Sequence, residues 1–291
     1  MPDFEAWIGR KQRTSDRLDE ALAARWLAAF DLPAPDPAIM PQGVHFALCT
    51  PDAPTAALGE DGHPARDPGA SSFLPPFPQF GSRPRRMWAS SAIEFRAPIA
   101  IGAVIERTSR VASIKEKTGS TGTLAFVNIE HETSANGTLC VLETQTLVYR
   151  DAAPTDAPLS PPESGEGKFN PNEWDAVRTL TPSSALLFRY SALTFNTHRI
   201  HYDAPYARDV ERYRGLVVHG PLIASLLLQL AARELGENRV RRFEFRGMSP
   251  AIEGEALHLV MRRPDDGADD GNELGAFAAD GRQITKATVS V

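Results

Sequence analysis

The 291-residue sequence has few of the features that mark several large classes of protein. It holds two cysteines, Cys49 and Cys140, too few for a disulfide framework and not in a metal-binding spacing. We interpret both as small core residues in a reducing compartment. The net charge is -6, whereas nucleic-acid-binding proteins usually carry a basic excess. No segment is long and apolar enough to span a bilayer, and the first residues lack the apolar run of a signal peptide. We therefore expect a cytoplasmic protein with neither nucleic-acid nor membrane partners.

Signatures of bound cofactors are also missing from the sequence. There is no G-x-G-x-x-G, no P-loop and no G-x-S-x-G motif. His198 and His201 have no obvious third ligand at a known zinc spacing. The prediction is therefore an enzyme with no metal and no cofactor. The content of 42% hydrophobic and 23% charged residues is ordinary for a globular protein with a substantial core.

The first half of the chain predicts a helix, a long loop and a sheet. Ser15 is placed to cap an amphipathic helix that runs to Phe30. Residues 51–85, rich in Pro, Gly and Ala, predict an extended loop. Four alternating, β-branched segments between residues 87 and 151 then predict an antiparallel meander.

The second half predicts a strand over residues 184–195, a buried helix and four more short strands. The helix, from about Gly220 to Leu235, is nearly surrounded by apolar residues, which is typical of a buried helix. This order of elements predicts the α+β class, with one half at 1–150, a proline-rich linker at 151–175 and a second half at 176–291.

A dense group of polar residues lies directly before this apolar helix. It includes His198 and His201, and His is the side chain whose charge changes near neutral pH. Either histidine could be a hydrogen-bonded structural residue. Because they occur together at the mouth of a hydrophobic element, we interpret His201 first, and then His198, as catalytic.

The neighbours of these histidines have structural and functional interpretations. Asn196 could cap a turn or hold a water or a carbonyl group, and Asp203, before Ala-Pro, is interpreted mainly as a helix cap. Arg199 is more typical of an ion-paired residue than of a substrate clamp. Gly220 permits close approach of a ligand to the helix start, where free amides and partial positive charge could polarise a carbonyl. His219 is a further candidate contact.

The segment resembles the hydratase motif of the MaoC-like dehydratases, the (R)-specific enoyl-CoA hydratases with the hotdog fold. His201 matches the motif histidine, Asp203 the later aspartate, and Val218-His219-Gly220 the start of the central helix. Two positions depart from the motif, because Asn196 stands at its acidic position and His198 at its asparagine position.

The variant N-x-H-R-I-H-Y-D is similar to a narrower branch, which contains the mesaconyl-CoA and itaconyl-CoA hydratases and the mitochondrial-type 3-hydroxyacyl-thioester dehydratases. The runs RPRRMWA, TLAFVNIEHE and YRD resemble the degenerate first hotdog of that branch. The resemblance implies a double hotdog, in which each half is an antiparallel sheet wrapped around a central helix. It also implies reversible addition of water to an α,β-unsaturated acyl thioester of CoA or a carrier protein.

The resemblance also implies roles for individual residues. His201 would activate water, the Gly220 amide would stabilise the thioester oxyanion, and Asn196 would position water or the carbonyl. Because an amide cannot take a proton, either His201 works alone or His198 or Asp203 supplies a second group. The expected substrate-binding residues are Arg199, for the carboxylate of a mesaconyl-type acyl group, together with Tyr202, Asp203, Val218, His219, Arg85 and Arg86. The basic run at 83–86 is either solvated or a site for a CoA phosphate.

Three alternative functions and one assembly remain open at this level. The protein could be an (R)-3-hydroxyacyl-thioester dehydratase of fatty-acid or polyketide type. It could also be a thioesterase or a non-catalytic acyl-CoA-binding module, because hotdog folds carry several functions. Exposed strand edges predict a homodimer.

Overall fold

Ten strands and four α-helices make up the regular structure of the computed structural model, which describes residues 4–35, 37–65, 72–77, 80, 85–119, 122–163, 165, 167–264 and 271–291. The strands are β1 (Lys11–Arg17), β2 (Arg85–Phe95), β3 (Val104–Gly119), β4 (Gly122–Ala135), β5 (Thr138–Arg150), β6 (Ala176–Leu180), β7 (Arg242–Gly247), β8 (Leu257–Arg262), β9 (Asn272–Ala278) and β10 (Gln283–Ser290). The helices are α1 (Glu20–Ala29), α2 (Ser184–Thr194), α3 (Ala204–Asp209) and α4 (Gly220–Leu235). The strands form one sheet in the order β1-β3-β4-β5-β2-β7-β10-β9-β8-β6.

The first half contains part of the predicted meander, and its helix begins later than expected. Strands β3, β4 and β5 pair antiparallel in chain order and confirm that part, whereas β2 pairs with β5 and not with β3, as a four-strand meander would require. The cap at Ser15 is wrong, because Ser15 lies in β1 opposite Glu106 of β3. Asp19 caps α1 instead, and its side chain accepts a hydrogen bond from the Leu22 amide at 2.7 Å. A second cap-forming residue four positions downstream therefore sets the boundary.

The strand predicted over residues 184–195 is also wrong, since this segment forms α2. Ser183 caps the helix by accepting from the Leu186 amide. Its buried residues Leu187, Tyr190 and Ser191 recur three and four positions apart, which is helical spacing. The end of α2 brings the polar cluster to the core.

Helix α4 confirms the predicted buried helix and is the centre of the structure. Nine of its residues are buried: Leu222, Ile223, Ala224, Ser225, Leu226, Leu227, Leu228, Leu230 and Ala231. The four strands predicted after it are present as β7 to β10, and α4 packs against β8 and β9. The amino end of this helix is therefore fixed relative to the sheet.

The two halves of the chain share one sheet. Strand β2 pairs with β7 in a register that runs from Ser90↔Arg246 to Glu94↔Arg242. The division at residues 150 and 176 stays a prediction, and the segment between carries a bridge from Ser160 to Tyr213. Among the described residues, no helix has the length and hydropathy needed to cross a membrane.

Candidate active site

The polar segment folds as a tight turn between α2 and α3. Helix α2 ends at Thr194, and Phe195 takes a left-handed conformation with φ 48°. The Asn196 side chain accepts from the His198 amide at 2.9 Å, which is the turn-forming role expected of asparagine. A single 3₁₀ turn, Arg199–His201, follows. It brings the rings of His198 and His201 together edge-on, with centroids 5.5 Å apart.

His201 is buried, neutral and held in one orientation. Its Nδ1 donates to the Val217 carbonyl at 2.7 Å, since a carbonyl oxygen can only accept. Burial lowers the pKa of His201 to about 3, with the charge on His198 acting in the same direction and the bond to Val217 opposing it. Its Nε2 therefore carries a lone pair at neutral pH, as a general base requires.

His219 joins this imidazole to the start of α4. Its ring stacks on that of His201 with centroids 3.6 Å apart and an angle of 17°. Its Nε2 lies 2.9 Å from the Ser191 hydroxyl on α2. Burial, and then the neighbouring imidazoles of His201 and His198, hold the pKa of His219 well below its usual value. The stack places the His201 ring beside the first turn of α4.

The first turn of α4 offers backbone amides next to these rings. His219 is the N-cap residue, Gly220 is the first helical residue, and Pro221 has no N–H. The first amides of a helix have no acceptor within the helix. A Cβ added to Gly220 would lie 3.9 Å from the Trp88 carbonyl of β2, so the helix start lies close to that strand.

His198 is paired with a carboxylate that the sequence analysis missed. Its Nε2 lies 2.8 Å from Glu211 Oε1, and both side chains are buried. Glu211 follows α3, thirteen residues after His198, in a charged run that reads as surface, and no local pattern signals the pair. Although Asn196 replaces the acidic residue of the motif, the structure therefore places a carboxylate beside His198, from a residue that matches no position of the motif.

A loop from the first half of the chain also reaches the site, and this too was missed. The His63 ring packs on that of His198 with centroids 4.2 Å apart, and Asp61 Oδ2 lies 3.0 Å from His63 Nδ1. Gly62 makes this contact possible, because it has φ +86° and an added Cβ would lie 1.8 Å from the Thr197 carbonyl. Burial, and then Arg86, hold the pKa of His63 well below its usual value.

Three of these groups lie close enough to raise the question of a metal ion. The ligand atoms of Asp61, His63 and His198 are all within 4.8 Å of one another. His198 Nε2 is already engaged by Glu211, and the His63 ring is tilted by 41° against the His198 ring. Ligands of one ion instead direct their lone pairs at a common centre. The arrangement fits two hydrogen-bonded pairs, Asp61–His63 and His198–Glu211, better than a metal centre.

The expected structural roles of Asp203 and Arg199 are confirmed. Asp203 caps α3 by accepting from the Tyr206 amide at 3.1 Å. Arg199 Nη2 donates to Asp203 Oδ2 at 2.8 Å and its Nη1 to the Glu60 carbonyl at 3.1 Å. Its guanidinium carbon lies 4.0 Å from the centre of the Tyr206 ring. These contacts occupy the group that was expected to bind a substrate carboxylate.

The remaining predicted contacts are distributed around the site. Val218 is buried, and its amide donates to Ala251 at 2.9 Å. Tyr202 is 46% exposed, and its hydroxyl donates to Thr197 at 3.0 Å. Arg85 is buried, with its Nε 3.4 Å from Glu211 Oε2, while Arg86 acts on His63. Arg83 and Pro84, the other half of the basic run, lie outside the described residues.

A separate cavity of about 210 Å³ opens where the two halves meet. It is lined by residues 40–45 and 95–99 with Val141, Asn238, Val240 and Arg241. None of the predicted site residues contributes to it, so the candidate active site rests on the histidine cluster alone.

Comparison with solved structures defines the class of fold. A MaoC-like dehydratase superposes with a TM-score of 0.69 at 16% identity, covering 99% of each chain. A conserved Mycobacterium tuberculosis protein described as a double hotdog superposes with a TM-score of 0.54 at 15% identity, covering 97% of this chain and 95% of that one. The ten-stranded sheet around a buried helix is thus a double hotdog, which confirms the predicted fold class.

Sequence comparison then gives the family. The model for hydroxyacyl-thioester dehydratase type 2 matches residues 43–253. Mesaconyl-C(4)-CoA hydratase of Chloroflexus aurantiacus is 39% identical over 99% of this chain and 98% of its own length. The mitochondrial hydroxyacyl-thioester dehydratase type 2 of Schizosaccharomyces pombe is 28% identical over 75% of this chain and 76% of its own. The chain belongs to the hydroxyacyl-thioester dehydratase type 2 family, and its assignment as an enzyme of the hydro-lyase type is confirmed.

Proposed function

We propose that the protein adds water reversibly to the double bond of an α,β-unsaturated acyl-CoA, with a short branched dicarboxylic acyl group such as mesaconyl or itaconyl as substrate. The observation that carries the reaction type is His201, a neutral imidazole fixed at Nδ1 and stacked beside the start of α4. The 39% identity to mesaconyl-C(4)-CoA hydratase supports the acyl group.

In this mechanism, His201 Nε2 takes a proton from water as the water oxygen bonds to the β-carbon. The electron pair of the double bond moves through the α-carbon to the thioester oxygen, which the Gly220 amide stabilises as an enolate. Such amides, fixed in place before the reaction, are most effective where water is excluded. The enolate then collapses as the α-carbon takes up a proton, and dehydration is the reverse.

We assign the second proton-handling group to His198, backed by Glu211. Asp203 is the weaker candidate, because its two oxygens are committed to Arg199 and to the Tyr206 amide. The 2.8 Å contact of His198 with a buried carboxylate fixes its ring, as an orienting carboxylate does for a catalytic histidine. Asn196 stabilises the turn between α2 and α3 through its side-chain oxygen.

A second candidate is dehydration of an (R)-3-hydroxyacyl thioester of fatty-acid or polyketide type, and the Schizosaccharomyces pombe relative, a hydroxyacyl-thioester dehydratase by name, supports the dehydration. In this reaction the same residues would act in the reverse direction, that of water elimination. A thioesterase is less well supported, because the first turn of α4 has no acidic residue.

The test is a spectrophotometric panel of enoyl-CoA thioesters that includes mesaconyl-CoA and crotonyl-CoA. We expect loss of enoyl absorbance without release of free thiol, and near-complete loss of turnover in His201→Asn. Thiol release would indicate a thioesterase, and normal turnover of a folded His201→Asn would contradict the mechanism.

We also propose a homodimer and a cytoplasmic location. Strands β1 and β6 end the sheet, and such edges are free to pair between subunits. Cys49 and Cys140 are both free thiols, as in a reducing compartment. Light scattering during size-exclusion chromatography tests the dimer directly.

A further inference from the structure

Two arginines meet side by side at the edge of the candidate active site. Arg85 begins β2 and Arg150 ends β5, and the two are directly opposite in the antiparallel register. Directly opposed residues point to the same face of a sheet, and like charges in such a pair are destabilising. The fold therefore maintains an unfavourable pairing at this place.

The charges of this pair are only partly compensated within the protein. Arg85 is 8% exposed, and its guanidinium carbon lies 5.1 Å from the centre of the Tyr213 ring. Its Nε forms an ion pair with Glu211 at 3.4 Å, but no hydrogen bond. Within the described part of the chain, neither Arg85 Nη2 nor the buried Arg150 Nε has a hydrogen-bond partner.

Glu211 alone cannot balance both guanidinium groups, because its other oxygen is bound to His198. Buried donors that lack an acceptor are rare in folded proteins and costly. An arginine fork matches the two oxygens of a carboxylate or a phosphate. The two arginines thus offer donors suited to an anion, and Arg85 is connected to His198 through the Glu211 carboxylate.

We propose that Arg85, with Arg150 beside it, binds the free carboxylate of a dicarboxylic acyl thioester and so determines the acyl specificity of the enzyme. This inference rests on the proposed function and moves the carboxylate clamp from Arg199, whose guanidinium is occupied, to Arg85. A short path of contacts, Arg85–Glu211–His198–His201, joins the anion site to the reacting group.

A CoA phosphate is the other anion that could fill this site. The phosphates of CoA are separated from the thioester by the pantetheine arm, whereas Arg85 is buried and is linked to His201 through Glu211 and His198. The position therefore favours the carboxylate of the acyl group. A matched pair of thioesters, both carrying the same CoA, separates the two sources.

The experiment is titration calorimetry of the full chain with succinyl-CoA and butyryl-CoA. Both have four-carbon, saturated acyl groups that cannot be hydrated, and only the first ends in a carboxylate. We expect the wild type to bind succinyl-CoA at least about tenfold more tightly, the effect of one charged hydrogen-bonded pair. Arg85→Met is expected to abolish this preference and leave the Kd for butyryl-CoA unchanged, while Arg199→Met, the matched control, keeps it.

Several results would overturn the proposal. Equal weakening of both thioesters in Arg85→Met would assign the site to a CoA phosphate, and an absent preference in the wild type would remove the carboxylate site. If Arg85→Met fails to fold, Arg85→Lys, which keeps the charge and loses the fork, must reduce the preference, and an unchanged preference contradicts the proposal. If the proposed function is wrong, the result is different. No enoyl-CoA would then be hydrated, while the ratio of the Kd values for butyryl-CoA and succinyl-CoA would be unaffected.

Discussion

The neutral state of His201 predicts a specific loss of stability in acid. Its pKa is lowered from 6.5 to about 3 in the folded protein, first by burial and then by the charge on His198. An unfolded chain therefore binds a proton between these two values that the native state does not. The contribution of the neutral ring to the free energy of unfolding is fully present above pH 6.5 and is lost as the pH falls toward 3. At pH 5 the loss is about 2 kcal/mol, at about 1.4 kcal/mol for each pH unit below 6.5.

The matched variant is His201→Asn, whose amide can still donate to the Val217 carbonyl but does not titrate. Urea unfolding at pH 7, 6 and 5 gives the free energy of unfolding of each protein. We expect the variant to lose about 2 kcal/mol less than the wild type between pH 7 and pH 5. His258→Asn is the comparison variant, because burial also lowers the pKa of His258 but this ring is only partly buried, so we expect a smaller difference from the wild type. If wild type and His201→Asn lose stability in parallel, His201 is not the buried neutral base described above.

Three further predictions test other parts of the structure. Gly62→Ala would press a methyl group into the Thr197 carbonyl, so we expect a loss of turnover of about tenfold or more with the fold retained by circular dichroism; unchanged turnover would show that the loop is not needed. Burial raises the pKa of Glu143, so its contribution to the free energy of unfolding falls as the pH rises above the pKa of the unfolded state. Relative to the wild type, Glu143→Gln should therefore gain more unfolding free energy at pH 8 than at pH 5, measured by urea unfolding. An equal gain at both pH values would contradict a raised pKa. Asp19→Ala should cost about 1 kcal/mol in unfolding free energy while Ser15→Ala costs little, and the opposite order would restore the cap to Ser15.

The elements that could be predicted from the sequence are those with an unambiguous pattern. The apolar residues of α4 extend around the whole helix, and the meander strands alternate over many residues, so both are present as expected. The segment that became α2 is a short apolar run, for which strand and helix patterns overlap. The cap of α1 was misplaced because Ser15 and Asp19 offer equivalent local signals and only pairing with β3 separates them.

The candidate site was predicted where its residues occupy positions of the motif and missed where they do not. His198, His201 and Gly220 belong to one motif-bearing stretch. Glu211 lies within that stretch but matches no position of the motif, and the Asp61–His63 pair comes from a loop whose Gly62 is 135 residues from its contact at Thr197. No periodicity or spacing encodes a contact over that separation, because it depends on how the two halves dock.

The position of β2 determines what happens when the protein is divided. This strand joins the two halves through its pairing with β7, and it also supplies Arg85 and the Trp88 carbonyl beside the start of α4. A C-terminal fragment that begins after the proline-rich segment would keep the catalytic imidazoles. It would, however, expose β7 as an unpaired sheet edge that is prone to aggregation. When the two halves are produced separately and mixed, turnover should therefore return only if β2 pairs with β7 again. Complementation thus reports directly on the pairing of these two strands.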